Sequence, residues 1–228
     1  MTPTEFLRRL PGPLWHYILH FEGKIENSVS TFAASLAPGA RVLDAGAGEG
    51  RYARFFNRQR YCGVDLCVGD RTWDYGRLNA VADIANMPFR SGCFDACLNI
   101  VTLEHVSEPT AALREMGRAL RPGGRLLLAI PHEWEVHQSP YDFYRFTRHG
   151  IEYLLEKAGF TEIKIEPAGG YFRLLARRLL SGILFFPPFL VPVAALFLVP
   201  PALVLPVLDF LDRERNFTLG YLCTAVKR

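Results

Sequence analysis

Arg41-Val-Leu-Asp-Ala-Gly-Ala-Gly-Glu-Gly-Arg51 is the stretch whose reading decides the fold. Val42 and Leu43 read as a short buried strand, and Asp44 stands at its carboxyl end. Gly46, Gly48 and Gly50 follow, then an expected helical run, Tyr52-Ala-Arg-Phe-Phe56. Glycines allow a sharp turn and let a ligand lie against the backbone, because no Cβ is in the way. Strand, glycine-rich turn and helix together form the first half of a nucleotide-binding α/β unit. Such sheets bind ligands where strands end and helices begin.

The glycine spacing narrows the ligand. Dinucleotide folds use G-x-G-x-x-G, with the pyrophosphate on a helix N-terminus. Here the pattern is Gly-x-Gly-x-Gly after an acid. It resembles motif I of the class I S-adenosylmethionine (SAM)-dependent methyltransferases. The resemblance implies that Asp44, Gly46, Gly48 and Gly50 wrap the methionine part of SAM.

Arg60 to Asp65 reads as the second strand, with Leu66 beyond it as a further cofactor residue. A carboxylate at that strand end is placed to accept both ribose hydroxyls of an adenosine ligand. That position supports a nucleoside without choosing between cofactors. The third strand and its exit, Asn79-Ala-Val-Ala-Asp-Ile-Ala-Asn-Met-Pro-Phe89, does discriminate. It resembles the methyltransferase segment that holds adenine, which implies that the Asp83 carboxylate accepts from the adenine amine and the Ile84 N–H meets a ring nitrogen. A carboxylate suits an exocyclic amine because it offers acceptors only.

Ala96 to Val101 reads as a fourth strand buried on both faces. By the resemblance, Asn99 to Leu103 line the sulfonium. Glu104 and His105 serve either as acid and base or as the start of the next helix, where the dipole favours a Glu. A helix is expected from Thr110 to Leu120, stopped by Arg121-Pro-Gly-Gly124, with the fifth strand from Arg125 to Ile130. The Leu-Arg-Pro-Gly-Gly-Arg-Leu string is characteristic of the family.

The segment from Pro131 to Thr147 leaves the carboxyl end of the fifth strand, where an acceptor should sit. It is dense in aromatic and ionisable groups, and its Pro-Tyr-Asp-x-x-Arg-Phe-Thr string resembles a type 11-like subgroup of the family. His132, Tyr141 and His105 are the catalytic candidates, because His titrates near neutral pH. His137, Tyr144 and Arg145 are candidates for holding the acceptor. Arg145 alternatively pairs with Asp142. A Thr147-capped helix ending at Gly159, a sixth strand from Thr161 to Glu166 and a final strand from Leu219 to Lys227, antiparallel beside the sixth, complete the core.

From Leu179 to Leu208 there is no charged residue. About 20 apolar residues span a bilayer, but one crossing would separate the last strand from its sheet. Prolines at 187–188, 192, 200–201 and 206 are expected to break the run into short helical pieces. The reading is a re-entrant or in-plane hairpin at a membrane surface. Arg173, Arg177 and Arg178 before it, and Arg213 and Arg215 after it, suit an anionic cytoplasmic face. A buried cap or a dimer interface is the competing explanation.

The totals agree with one large domain plus an addition: 228 residues, half of them hydrophobic, and a net charge of +3 that gives no reason to expect a nucleic-acid partner. The five cysteines form no C-x-x-C pair and read as reduced thiols. Residues 1–35 read as a helical cap in which Leu14, Trp15, Tyr17, Ile18 and Phe21 cluster; the resemblance implies that such helices cap the SAM site, so that Tyr17 or its neighbours touch ligand or substrate. His16 and His20 are four apart but have no third ligand nearby in sequence, so no metal is expected, and no signal peptide is read at the start. The division is 1–35 cap, 36–172 SAM-binding core, 173–212 apolar insertion and 213–228 final strand. The expected fold is a Rossmann-like α/β sheet of seven mostly parallel strands with helices on both faces. The expected activity is methyl transfer from SAM to a small, lipid-like or membrane-associated acceptor. A soluble small-molecule methyltransferase and a non-catalytic SAM-binding membrane scaffold are the alternatives.

Overall fold

The structure is a computed structural model that describes residues 12–70 and 72–228. The cap expected over residues 1–11 and the side chain of Leu14 lie outside the described part. Seven strands form one sheet: β1 Arg41–Ala45, β2 Arg60–Asp65, β3 Ala80–Val81, β4 Phe94–Ile100, β5 Leu120–Pro131, β6 Phe160–Pro167 and β7 Gly220–Lys227. Their spatial order is β3-β2-β1-β4-β5-β7-β6. β1 pairs in parallel with β2 on one side and β4 on the other, so the chain reverses its direction of winding at β1. The outer pair is antiparallel, since Arg228 N donates to Gly159 O and Thr161 Oγ1 donates to Val226 O.

The chain divides into two compact units, Asn27–Glu166 with Tyr221–Arg228 and Met1–Glu26 with Pro167–Gly220. The first is the sheet unit. β4 is buried through nearly its whole length, as a strand covered on both faces must be. Leu43, Cys97, Leu126 and Leu128 from the central strands meet Leu113 and Met116 of α3 (Pro109–Ala119) and Ile151 and Leu155 of α4 (Arg148–Lys157) in one core. Thr147 caps α4 by accepting from Gly150 N, and Gly159 ends it with φ +88°. β6 alternates buried and exposed, as an edge strand with one wet face does.

Three local expectations are corrected in this unit. The helical run after the glycine loop is a single 3₁₀ turn, Arg51–Phe55. Gly50, in the left-handed region, supplies no side-chain cap, and Phe56 N bonds back to Ala53 O three residues earlier, which closes the turn before an α-helix can propagate. Glu104 does not open the next helix: Leu103–His105 is its own 3₁₀ turn, and α3 begins at Pro109, whose missing N–H costs nothing at a first turn. The Arg-Pro-Gly-Gly string lies inside β5 as an irregularity, with Leu120 opposite Phe94 and Arg125 opposite Ala96. Gly123 at φ +72° provides the bend that lets the strand resume.

The second unit is helical. It contains α1 (Gly12–Ile18), the start of α2 (His20–Ala34), α5 (Tyr171–Gly182) and α6 (Val191–Val204), followed by a 3₁₀ run Leu205–Leu211. Pro187 and Pro188 do separate α5 from α6. Pro200 and Pro201, by contrast, lie inside α6 and do not break it. Their fixed φ suits a helix, and the loss falls on the carbonyls of Leu196 and Phe197, which have no N–H four residues on.

The two ends of this segment are tied together. Asp209, 6 % exposed, accepts from Gly170 N at 3.0 Å and from Arg173 N at 3.2 Å, and Asp212 accepts from Tyr171 N at 2.8 Å. Two carboxylates therefore cap the first turn of α5, where orphan N–H groups and the helix dipole favour negative charge. Beside them Ala168 N donates to Gly220 O at 2.8 Å. The chain leaves and re-enters at one place.

Candidate cofactor and acceptor site

Every loop singled out from the sequence leaves the carboxyl end of a parallel strand. After β1, Gly46, Gly48 and Gly50 all take positive φ, +87°, +53° and +69°. A Cβ on Gly46 would stand 2.2 Å from Thr102 Cγ2, so the glycine is required by close approach as well as by dihedral. Thr102 Oγ1 lies 3.1 Å from Gly46 O and from Ile100 O, which joins the glycine loop to the loop after β4.

Asp44 is 1 % exposed. Its Oδ2 accepts from Tyr61 OH at 2.7 Å, while its Oδ1 is buried without a partner. Burial pushes its pKa up to about 7, opposed in part by the tyrosine hydrogen bond. Asn99 is also buried. Its Nδ2 donates to Ala45 O at 2.7 Å, and its Oδ1 has no partner. Two unsatisfied oxygens thus sit at the ends of adjacent strands β1 and β4, where buried polar atoms are normally paired.

Asp65 ends β2 as expected, but its carboxylate already accepts from Gly48 N at 2.9 Å and Cys67 N at 2.8 Å. It shapes the glycine loop from below. Leu66 beside it is half exposed. Asp83 is exposed, its Oδ1 accepting from Ala85 N at 2.8 Å, and Ile84 is buried next to it. Sequence reasoning missed Trp73. A Cβ on Gly48 would lie 3.3 Å from its ring and one on Gly69 2.8 Å, so the indole lies over the glycine loop. A large aromatic between Gly69 and Gly76 was the signal available for it.

The acceptor candidates separate into two groups. His105 and His137 meet edge to face, ring centroids 4.7 Å apart. His105 Nδ1 lies 2.6 Å from Tyr141 O, and burial lowers the pKa of its ring. Tyr141 contributes that carbonyl while its side chain is exposed, so its catalytic assignment gains no support from a partner there. Glu104, which the sequence offered as an acid or base or as a helix start, is completely buried beside them, and burial raises its pKa to about 8. His132 does not join this group. Its Nδ1 faces Phe146 O at 2.9 Å and its ring lies against Tyr221.

Arg145 and Tyr144, expected to hold the acceptor, are both engaged with their own loop and its neighbours. Arg145 grips Asp142 with both terminal nitrogens, at 2.7 and 2.8 Å, and donates to the carbonyls of Trp134, Glu135 and Tyr144. Its five donors are spent on folding the loop down, and the guanidinium holds the Asp142 carboxyl well below the usual carboxylate range. Tyr144 OH donates to Ser107 O at 2.9 Å and its ring stacks on Phe146. Tyr17, expected to touch ligand, donates to Leu203 O at 2.6 Å within the helical unit. Arg173 and Arg177, expected on a headgroup-facing surface, are paired with Asp209 and Glu22 in that same unit.

Residues 43–128 match a family model described as a methyltransferase domain. A tRNA (carboxymethyluridine(34)-5-O)-methyltransferase of Xenopus tropicalis is 34% identical over 126 residues, half of this chain and 19% of that protein. A ubiquinone/menaquinone biosynthesis C-methyltransferase of Ralstonia pickettii is 32% identical over 127 residues, 50% of this chain and 52% of that protein. The chain therefore spans between about a fifth and a half of these relatives. Among solved structures, a SAM-dependent methyltransferase of Archaeoglobus fulgidus superposes with TM-score 0.60 over 90% of this chain and 94% of that one, at 14% identity.

Proposed function

We infer that the protein transfers the methyl of SAM to a small acceptor at a membrane surface, a reading supported by the match of residues 43–128 to a methyltransferase-domain model. The observation that carries the cofactor half is the pair of partnerless buried oxygens, Asp44 Oδ1 and Asn99 Oδ1, at the head of the glycine loop. They fit a ligand that brings donors, as the amino-acid end of SAM does. SAM supplies an electrophilic methyl on sulfur, so the chain's part is binding, alignment and exclusion of water. Asp44 and Asn99 hold the donor end and the glycine loop lies along it. Asp65 serves the ribose by sharing a carboxylate already oriented by Gly48 N. Asp83 and the Ile84 N–H serve the adenine.

The membrane half is supported by the helical unit. α6 buries only Ala194 and Ala202 and turns Leu196, Phe197 and Val204 outward, at 68, 70 and 62 % exposure. Small residues inside and large apolar ones outside invert the pattern of a helix in water. Val191–Leu211 is long and apolar enough to cross a membrane, yet the clasp at Gly170 and Asp209 fixes both ends together. That combination supports a hairpin lying in one leaflet on the cytoplasmic face. An apolar interface with a second protein surface is the other occupant of such a patch. The tRNA acceptors in relatives' names bear on the catalytic domain alone, and they give an RNA acceptor a place in the test.

Calorimetric titration of SAM, and separately of NAD, into the protein in mild detergent tests the cofactor. Micromolar SAM binding, no NAD signal and loss of binding in Asp83→Ala are expected. Methyl-labelled SAM incubated with lipid extract and with total tRNA then separates the acceptors. Label in the lipid fraction is expected, and label in tRNA alone would overturn the membrane-acceptor reading.

A further inference from the structure

No metal was expected from sequence spacing, and the group that changes this is assembled from two loops. Glu104 and His105, after β4, and His137, after β5, bring one carboxylate oxygen and two ring nitrogens within 4.8 Å of one another. Glu104 is completely buried, and among the described residues neither of its oxygens has a hydrogen-bond partner. Its nearest partner in the group, His105 Nε2, stands 3.7 Å away, beyond hydrogen-bond reach, and among the described residues has no hydrogen-bond partner either. A carboxyl group in that condition is unfavourable unless a proton or a cation satisfies it.

The two rings are held for coordination. His105 Nδ1 faces Tyr141 O at 2.6 Å, and His137 Nδ1 faces Glu135 O at 3.0 Å. A carbonyl only accepts, so His105 Nδ1 carries the proton and its Nε2 presents a lone pair; His137 Nδ1 has the same carbonyl contact at 3.0 Å, with the Arg145 guanidinium farther off at 3.4 Å. Metal-bound histidines are fixed in this way, by a carbonyl or carboxylate behind the ring. The Asp142 carboxylate stands 3.9 Å from His105 Nδ1 and 3.5 Å from His137 Nδ1, and Arg145 locks it there. The half-buried His137 gives an ion a way in from solvent.

We propose that Glu104, His105 and His137 bind one divalent transition-metal ion, through a carboxylate oxygen and two Nε2 atoms. Two imidazoles and one carboxylate suit zinc, iron, cobalt or nickel, whereas magnesium and calcium take oxygen ligands. Ligand atoms around a tetrahedral zinc at about 2.0–2.1 Å stand roughly 3.3 Å apart, so the 3.7 Å between Glu104 Oε1 and His105 Nε2 closes with a small side-chain rotation. Three protein ligands leave open positions, as catalytic sites do. Resting on the methyltransferase reading, those positions take an oxygen of the acceptor, which makes the acceptor class a hydroxyl, phenol or carboxylate. Metal binding itself stands without that reading.

The test uses the full chain, stripped of metal with a chelator and titrated with cobalt(II) while its visible ligand-field absorption is followed. One equivalent bound at micromolar affinity, displaced by zinc, is expected. Glu104→Gln and His137→Ala should each weaken binding at least tenfold, and His149→Ala, on the exposed start of α4, should not. Circular dichroism checks each variant, and if Glu104→Gln does not fold, His137→Ala decides. A folded wild type that takes up no cobalt at micromolar concentration, or folded variants that bind as the wild type does, overturn the proposal in favour of a metal-free Glu104–His105 pair. SAM titration of the stripped protein reads the cofactor site separately, so failure of one does not mimic failure of the other.

Discussion

At the scale of single residues, two positions control the glycine loop for different physical reasons. Gly46 has both a left-handed backbone and no room for a Cβ beside Thr102. Gly46→Ala should destabilise the protein by about 1–3 kcal/mol from the dihedral alone, read in a thermal melt, and should abolish SAM binding. Thr102→Ala in the same chain should ease the clash, leaving the Thr102 Cβ position at 2.8 Å, and should not restore the melt fully. Asp44 makes an opposite kind of contribution. Its pKa rises from 3.8 to about 7 on folding, so the native state binds more protons than the unfolded chain between those values. Stability contributed at this site therefore falls as pH rises from about 4 to about 7 and stays low above that. Asp44→Asn keeps an acceptor for Tyr61 and removes the charge. Melts of both proteins across pH 4 to 8 should show the variant gaining on the wild type as pH rises, and a pH-independent difference would refute the assignment. Asp44, Asp65 and Asp83 were legible because a strand end followed by an acid is a local pattern. Trp73 was not, since its importance comes from what lies across from it in space, and for Glu104 the sequence left acid, base and helix start open where burial separates them.

At the scale of elements, the segment between β5 and α4 behaves as a folded object built around one ion pair. Arg145 forks onto Asp142, which is 2 % exposed in its side chain, and donates to three carbonyls. Lysine keeps the charge and loses the fork. Arg145→Lys should loosen this loop by about 1.5–3 kcal/mol, the range for a lost hydrogen bond to a charged group, seen as faster hydrogen exchange in residues 134–144 with the sheet unchanged. Exchange unaltered in that loop would show that aromatic packing of Tyr144 on Phe146 suffices. The sequence marked this loop as unusual by its density of ionisable groups, but which of them face a ligand and which hold the loop is decided by pairing. The same limit produced the errors over the 3₁₀ turn at Arg51–Phe55 and the prolines of α6. Propensity predicts where a helix is unfavourable, and neighbours decide whether the unfavourable conformation is kept.

At the scale of the molecule, the succession of strands and the carboxyl-end placement of the ligand loops were legible in the alternation of apolar runs and glycine or proline turns, whereas the spatial order of the strands came from the structure. The helical unit follows different rules, because its composition is uniform and carries no periodic signal. Its outward residues supply the test. Moving one such Phe or Leu side chain out of water is worth about 1.5–3 kcal/mol. Phe189→Glu with Phe197→Glu, both highly exposed, should leave the melt unchanged and reduce co-sedimentation with anionic vesicles at least tenfold. Vesicle binding equal to the wild type would assign the patch to a protein partner. The clasp of Asp209 and Asp212 on the start of α5 carries one more consequence. Because the segment begins and ends at one point beside the joined ends of β6 and β7, a lineage could gain, lengthen or discard it in a single event without redrawing the sheet. Its length and composition are then free to follow whatever it rests against.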